Sequence, residues 1–274
     1  MMTSLSAESR DGTTIAYLRQ GEGPAIVVVP GNNRMAHNYE RLASGLEDAY
    51  TVVTLERRGR GRSGPQGVDY ALEREIDDLR AVADAESAEV VFGHSYGGLV
   101  ALAAALDDRR FSRLAVYEPG VSLNGSLDLS FLPEFERLLS DGHHIRAMAL
   151  FLRETRLVPI GNAPGFVYLA LSALMVGGRN GTEMRELMPT TPPELKQIAR
   201  FDSDGARYAT IESETLLLGG SKSPAVITGV LEPLSHLIRN SRVDMLEGAD
   251  HNAPDESDPT RVASVLRDFF RPAP

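Results

Sequence analysis

Residues 89–99 read Glu89-Val90-Val91-Phe92-Gly93-His94-Ser95-Tyr96-Gly97-Gly98-Leu99. The run 89–92 (EVVF) has the branched and aromatic character of a buried strand, and 99–106 is apolar at helical spacing. Between them stands Gly-x-Ser-x-Gly, a serine on a strand-to-helix turn. A hydroxyl that must protrude from a tight turn needs neighbours two places away without side chains, and Gly93 and Gly97 meet that need. Gly98 lets the helix pack closely on the sheet. The helix aims its first amides, and the positive end of its dipole, at negative charge forming on a reacting oxygen. Ser95 is therefore the candidate nucleophile, and the backbone N–H of Tyr96 a candidate donor to an oxyanion.

Outward from this turn the same alternation recurs. Residues 25–29 (AIVVV), 50–55 (YTVVTL), 114–117 (LAVY), 215–218 (TLLL) and 242–246 (RVDML) are further strand candidates. Most are apolar on both faces, as in a parallel sheet covered by helices. Helical periodicity fills 38–46, 72–85 and 261–270. The fold class predicted is α/β, a mostly parallel doubly wound sheet with right-handed crossovers. Before Pro24, two short polar strands turning at Asp11-Gly12 read as an antiparallel hairpin at the sheet edge.

The alternation stops between residues 121 and 213. Helical patterns at 131–139, 144–156, 166–176 and 194–198 follow one another, punctuated at Pro133, Pro159, Pro164, Gly177-Gly178 and Pro192-Pro193. This predicts a core of residues 1–120 and 214–274 with a helical cap or lid, 121–213, over the edge of the sheet where ligands bind in such folds. The Pro-Ala-Pro tail after Arg271 reads as loose.

The chain has 274 residues, 42% of them apolar and 24% charged, enough to bury a sizeable core without staples. It has no cysteine, which removes disulfides, thiol catalysis and Cys-based zinc sites. A formal charge of −10 argues against nucleic acid as a partner. Residues 1–10 lack a signal-peptide pattern, and no apolar run approaches the ~20 residues of a membrane span. A cytoplasmic protein is expected, with neither metal nor cofactor.

These features together resemble the α/β-hydrolase family, serine hydrolase branch, over nearly the whole chain. Pro30-Gly31-Asn32-Asn33 follows the strand at 25–29 where relatives usually have His-Gly, and the resemblance implies that the Asn32 backbone N–H is the second oxyanion donor. Glu56-Arg57-Arg58-Gly59-Arg60-Gly61-Arg62-Ser63 is similar to the family's D-x-R-G-x-G-x-S loop and implies an architectural role for its arginines. The family's base is a histidine on the loop after the last strand. Leu246-Glu247-Gly248-Ala249-Asp250-His251-Asn252 fits, and imidazole, with its usual pKa of ~6.5, takes and returns a proton near neutrality. His94 reads as an elbow residue, and His143, His144 and His236 as surface or lid positions.

The acid departs from the pattern. Where relatives carry Asp after the penultimate strand, this chain has Gly219-Gly220-Ser221-Lys222-Ser223-Pro224. Glu118, in Tyr117-Glu118-Pro119, stands at the end of the strand before. Some family branches, including certain haloalkane dehalogenases and zearalenone-type lactonases, look similar in carrying a Glu there. Asp250 is the other candidate, although its adjacency to His251 makes the geometry awkward. The reaction expected is hydrolysis of a small hydrophobic carboxylic ester or lactone through an acyl-enzyme on Ser95. A serine nucleophile speaks against dehalogenase and epoxide-hydrolase chemistry, which pass through an alkyl ester on a carboxylate. The alternatives are a cofactor-free oxygenase or perhydrolase on the same fold, or a non-catalytic small-molecule binding protein. Phe131, Phe135, Met148, Phe151, Phe166, Tyr168, Leu171 and Met175 are candidates to line a pocket, although helix-to-helix packing accounts for most of them.

Overall fold

In a computed structural model the branched runs pair into one eight-stranded sheet. Its strands are β1 (Thr3–Glu8), β2 (Thr14–Gln20), β3 (Ala25–Val29), β4 (Thr51–Leu55), β5 (Val90–His94), β6 (Arg113–Tyr117), β7 (Glu214–Gly220) and β8 (Ser241–Leu246). They lie in the order β1-β2-β4-β3-β5-β6-β7-β8. The structure describes residues 2–158, 160–161, 163–178 and 181–271. Pro159 and the Pro-Ala-Pro tail lie outside the described residues. Every pairing from β4 to β8 is parallel, whereas β1–β2 and β2–β4 are antiparallel, so the polar hairpin sits at the sheet edge as expected.

Both faces of the central strands are covered, which is why their sequences lack alternation. Val27, Val29, Val53 and Val91 point into one core layer with α2 (Leu72–Glu86) and α3 (Tyr96–Ala104). Ile26, Val28, Val52 and Phe92 point into the other, with α1 (Glu40–Ser44) and the last helix (Pro259–Phe270). Two helix predictions need correction. The pattern at 38–46 is split into a 3-10 turn, Ala36–Tyr39, and the short α1. The helix after the serine starts at Tyr96, not Leu99, because Gly97 and Gly98 are part of its first turn rather than of a separate bend.

The break in alternation is real. Between β6 and β7 lie α4 (Leu132–Ser140), α5 (His144–Thr155), α6 (Gly165–Val176), α7 (Thr182–Leu187) and α8 (Thr191–Phe201). Among the described residues of this insertion, strand-like pairing is limited to one isolated bridge, Leu123 with Ser203. The sequence reading missed α7, and also α9 (Ala225–Thr228) and α10 (Leu231–Leu237), which together with α11 (Pro259–Phe270) complete the chain. All three missed helices are seven residues or shorter, too short for their periodicity to stand out. No described helix is long and apolar enough to cross a membrane.

The arginine-rich loop after β4 is internal. Arg57, Arg58 and Arg60 are each at most 2% exposed. The Arg58 guanidinium donates twice to Asp78 on α2, at 2.7 and 2.6 Å. Breaking a buried pair strands its partner, a loss far larger than the pair's net worth. Asp78→Ala is accordingly expected to lower the free energy of unfolding by about 3 kcal/mol in urea titrations, part of the damage being limited by Asp11, which also accepts from Arg58.

Candidate active site

Ser95 sits between β5 and α3 at φ 53° and ψ −120°, a region that residues with a side chain rarely occupy. Its neighbours hold it there. The Ser95 N–H donates to the Tyr117 carbonyl (3.0 Å), and its own carbonyl accepts from Gly98 (2.8 Å) and Gly120 (2.7 Å). A side chain at Gly97 would start 2.1 Å from the Val29 carbonyl oxygen, so only glycine lets the elbow close against β3. Gly98 has the packing role expected of it, its close neighbour being Pro119 just beyond β6.

The loop after β8 brings His251 to this turn. Its Nε2 lies 3.2 Å from Ser95 Oγ, and its Nδ1 lies 2.6 Å from Glu118 Oε2. The nitrogen facing a carboxylate carries the proton, which leaves Nε2 to accept from the hydroxyl. Glu118 is fully buried, at φ 44°, directly after β6. Its second oxygen accepts from the Gly220 N–H (2.7 Å). The end of β7, where relatives carry a carboxylate, thus gives an amide that steadies the carboxylate from β6. Asp250 faces elsewhere: its Oδ1 accepts from the Asn252 N–H (3.0 Å) and the Ser257 hydroxyl (2.7 Å).

Behind His251 lies a second polar chain that the sequence reading did not find. The Gly31 N–H donates to the Tyr39 hydroxyl (3.0 Å), which donates to His94 Nδ1 (2.6 Å), whose Nε2–H donates to the His251 carbonyl (2.9 Å). Burial, reinforced by the nearby His251 and Arg34, pushes the His94 imidazole well below its ordinary range, so it works as a neutral link. Asp255 stands 3.9 Å from His94 and pairs with Arg34 at the rim of the cleft. Burial raises the Asp255 carboxyl above its usual range despite that arginine. Nothing in the local sequence around Tyr39 signals this, since its partners are 55 or more residues away except for Gly31.

Asn32 and Tyr96 both border the cleft beside Ser95. The Asn32 N–H makes no hydrogen bond among the described residues, and Tyr96, the first residue of α3, carries an amide with no partner inside its helix. The cleft has two lobes of about 80 Å³ each that meet at Ser95 and His251. One is bordered by Asn33, Arg34 and Asn252 together with Met148 and Met175. The other is apolar, walled by Val121, Leu127, Leu195, Ile198, Val226 and Ile227. Of the eight pocket candidates, Met148, Phe151 and Met175 line the cleft. Phe131 meets Phe151 edge-on and Phe135 meets it at a tilt, Tyr168 is buried, and Leu171 packs half-buried against the core. Phe166 points outward at 70% exposure, so it is not a lining residue. A larger groove of about 890 Å³ opens beside Phe111 and Ser213, at the other end of β6 and β7, and holds none of these groups. Among the described residues no three His, Asp or Glu side chains are set to hold a metal ion.

The strain at position 95 is measurable apart from any reaction. Ser95→Gly is expected to be more stable than Ser95→Ala by about 1 kcal/mol, the relief of backbone strain outweighing the extra freedom of glycine in the unfolded chain. Equal midpoints in parallel urea titrations would mean that the turn is unstrained.

Comparison with known proteins agrees with this architecture. An α/β hydrolase from Sphaerobacter thermophilus DSM 20745 superposes with a TM-score of 0.82 at 33% identity, covering 97% of this chain and all (100%) of that one. An esterase from Exiguobacterium antarcticum shares the fold, with a TM-score of 0.73 at 18% identity over 97% of this chain and 99% of its own. A cis-3-alkyl-4-alkyloxetan-2-one decarboxylase from Shewanella oneidensis is 31% identical over 119 residues, 41% of this chain, and the chain spans 37% of that relative's length. The profile of the alpha/beta hydrolase family matches residues 26–265. With that match over most of its length, and with a serine elbow on a 1-2-4-3-5-6-7-8 sheet, the chain belongs to the α/β-hydrolase family.

Proposed function

We propose that this protein is a serine hydrolase that cleaves a small, largely apolar carboxylic ester or lactone through an acyl-enzyme on Ser95. The observation that carries the reading is the unbroken chain from Glu118 through His251 to the Ser95 hydroxyl. In this reading His251 Nε2 takes the Ser95 proton as Oγ attacks the acyl carbon. The carbonyl oxygen becomes an oxyanion held by the Asn32 and Tyr96 amides. The C–O bond to the leaving alcohol breaks as His251 returns the proton to it. Water, deprotonated by the same imidazole, then attacks the acyl carbon and releases the acid and the Ser95 hydroxyl. Glu118 holds the tautomer and balances the imidazolium.

The helical insertion, residues 121–213, is on this view a lid over a core of 1–120 and 214–274. Its Met148, Phe151, Leu195 and Ile198 contribute walls to the two lobes, so it would choose the substrate. The apolar lining favours neutral substrates. Among the similar proteins one is named an esterase, the reaction type proposed here, and another is named for decarboxylating an oxetan-2-one, a four-membered cyclic ester.

Ser95→Ala is expected to lower kcat on a short p-nitrophenyl ester by about 10⁴-fold or more, and a fluorophosphonate is expected to label Ser95 once per chain. Near-full turnover by the variant, or an unlabelled serine, would count against the acyl-enzyme and for an oxygenase or binding role. Glu118→Gln is expected to lose about 10³–10⁴ in kcat while Asp250→Asn stays close to wild type. The reverse pattern would transfer the role of the acid to Asp250.

A further inference from the structure

The two residues assigned above to the oxyanion are tied by their side chains to one buried cluster of charge. Asn32 Nδ2 donates to Glu194 Oε2 at 2.6 Å, across 162 residues of sequence. Arg57 Nη2 lies 3.0 Å from Glu194 Oε1, and Arg60 donates to the same oxygen. Arg57 also donates twice to Glu75, at 2.8 and 2.6 Å, and its guanidinium lies 4.6 Å from the centre of the Tyr96 ring. The Tyr96 hydroxyl meets Tyr70 (2.9 Å), which donates to Glu75 (2.8 Å). Thr191, one turn before Glu194 on α8, donates to Asn33 Oδ1 (2.8 Å) with Asn32 Oδ1 at 3.1 Å. Asn33 is held at φ 54°.

Stability is a poor explanation for this arrangement. Two arginines and two glutamates taken fully out of water gain little over apolar packing of the same volume. What such a cluster does well is fix positions, because each charge accepts only a narrow geometry. The positions fixed here are those of the Asn32 and Tyr96 amides. An oxyanion site works only when both donors stand 2.7–3.1 Å or so from where the charge will form, and looseness of about half an ångström is enough to weaken it.

We propose that Glu194 is a positioning residue for the oxyanion site: through the side chain of Asn32 it sets that residue's amide against the amide of Tyr96, so that the helical insertion governs rate as well as substrate choice. The inference rests on the proposed acyl transfer. It runs against the simple expectation that a backbone donor makes the side chain at position 32 irrelevant.

The test is a double-mutant cycle on p-nitrophenyl ester turnover with Asn32→Ala and Glu194→Gln. Each single change is expected to lower kcat by about tenfold or more, short of the ~10²–10³ lost when an oxyanion donor is deleted. KM, the shape of the kcat pH profile and, for Asn32→Ala, the melting temperature should stay near wild type. The double variant should be no slower than the worse single, because both act through one contact. Losses that multiply, an unchanged kcat in Asn32→Ala, or a loss that appears in KM alone would each overturn the assignment. If Glu194→Gln does not fold, Glu194→Asp, which keeps the charge but withdraws the carboxylate from Asn32 Nδ2, takes its place in the cycle with the same expectations. Stoichiometric fluorophosphonate labelling separates the two levels. A labelled Asn32→Ala with full kcat ends the positioning role alone, whereas a wild-type chain that resists labelling ends the acyl-transfer reading beneath it.

Discussion

Parallel register is the constraint on which this molecule depends. Val29 pairs with Gly93 across β3–β5, and His94 pairs with Tyr117 across β5–β6. Three neighbouring strands therefore end at the same level, and the residues that follow them, Pro30 onward, Ser95 and Glu118, emerge side by side. Shifting one strand by a residue would exchange its two buried faces and move its terminal residue away from the others. The apolar content of both core layers thus does more than stabilise the sheet. It places the Ser95 hydroxyl and the Glu118 carboxylate within hydrogen-bonding range of one imidazole, with the loop from Pro30 beside them.

Around that junction the protein uses two kinds of interior. The sheet and its flanking helices are packed with Val, Leu, Ile and Ala at close to zero exposure. The loops above β3 and β4 rest instead on buried ions: Arg57 with Glu75 and Glu194, Arg58 with Asp78. Apolar packing tolerates small slides, whereas a bidentate guanidinium does not. The division is between an apolar sheet core below and an ion-paired rim above. Tyr39 and His94 extend the same logic by linking the Gly31 loop to the His251 loop through neutral hydrogen bonds, with no net charge placed behind the imidazole.

Much of this was legible in the chain. The strands showed themselves as branched runs without alternation, the elbow as two glycines around a serine, and the insertion as the place where strands ceased. Glu118 could be named because the usual acid position held Gly220 and Ser221, and a carboxylate stood one strand earlier. What the sequence hid depends on contacts distant along the chain. Glu194 lies in an unremarkable helix after two prolines, and nothing near it in the sequence ties it to Arg57 and Arg60, more than 130 residues earlier. The outward turn of Phe166 was equally invisible, because a helix as uniformly apolar as α6 carries no mark of which side faces water.

The rise of the carboxylate from β6 also frees its neighbour. Gly220 now contributes only a backbone amide, and a Cβ there would meet the Ala249 carbonyl at 2.4 Å. The stretch beyond it, through Val226 and Ile227, forms part of the wall of the apolar lobe. On the proposed reading, substitutions in that stretch reshape the lobe without touching the chain from Glu118 through His251 to Ser95. In a relative whose acid sits on β7, the same segment answers to two demands at once. On the proposed acyl transfer, the segment that shapes the lobe and the carboxylate that holds the imidazole stand on separate strands, so a change in one need not pass through the other.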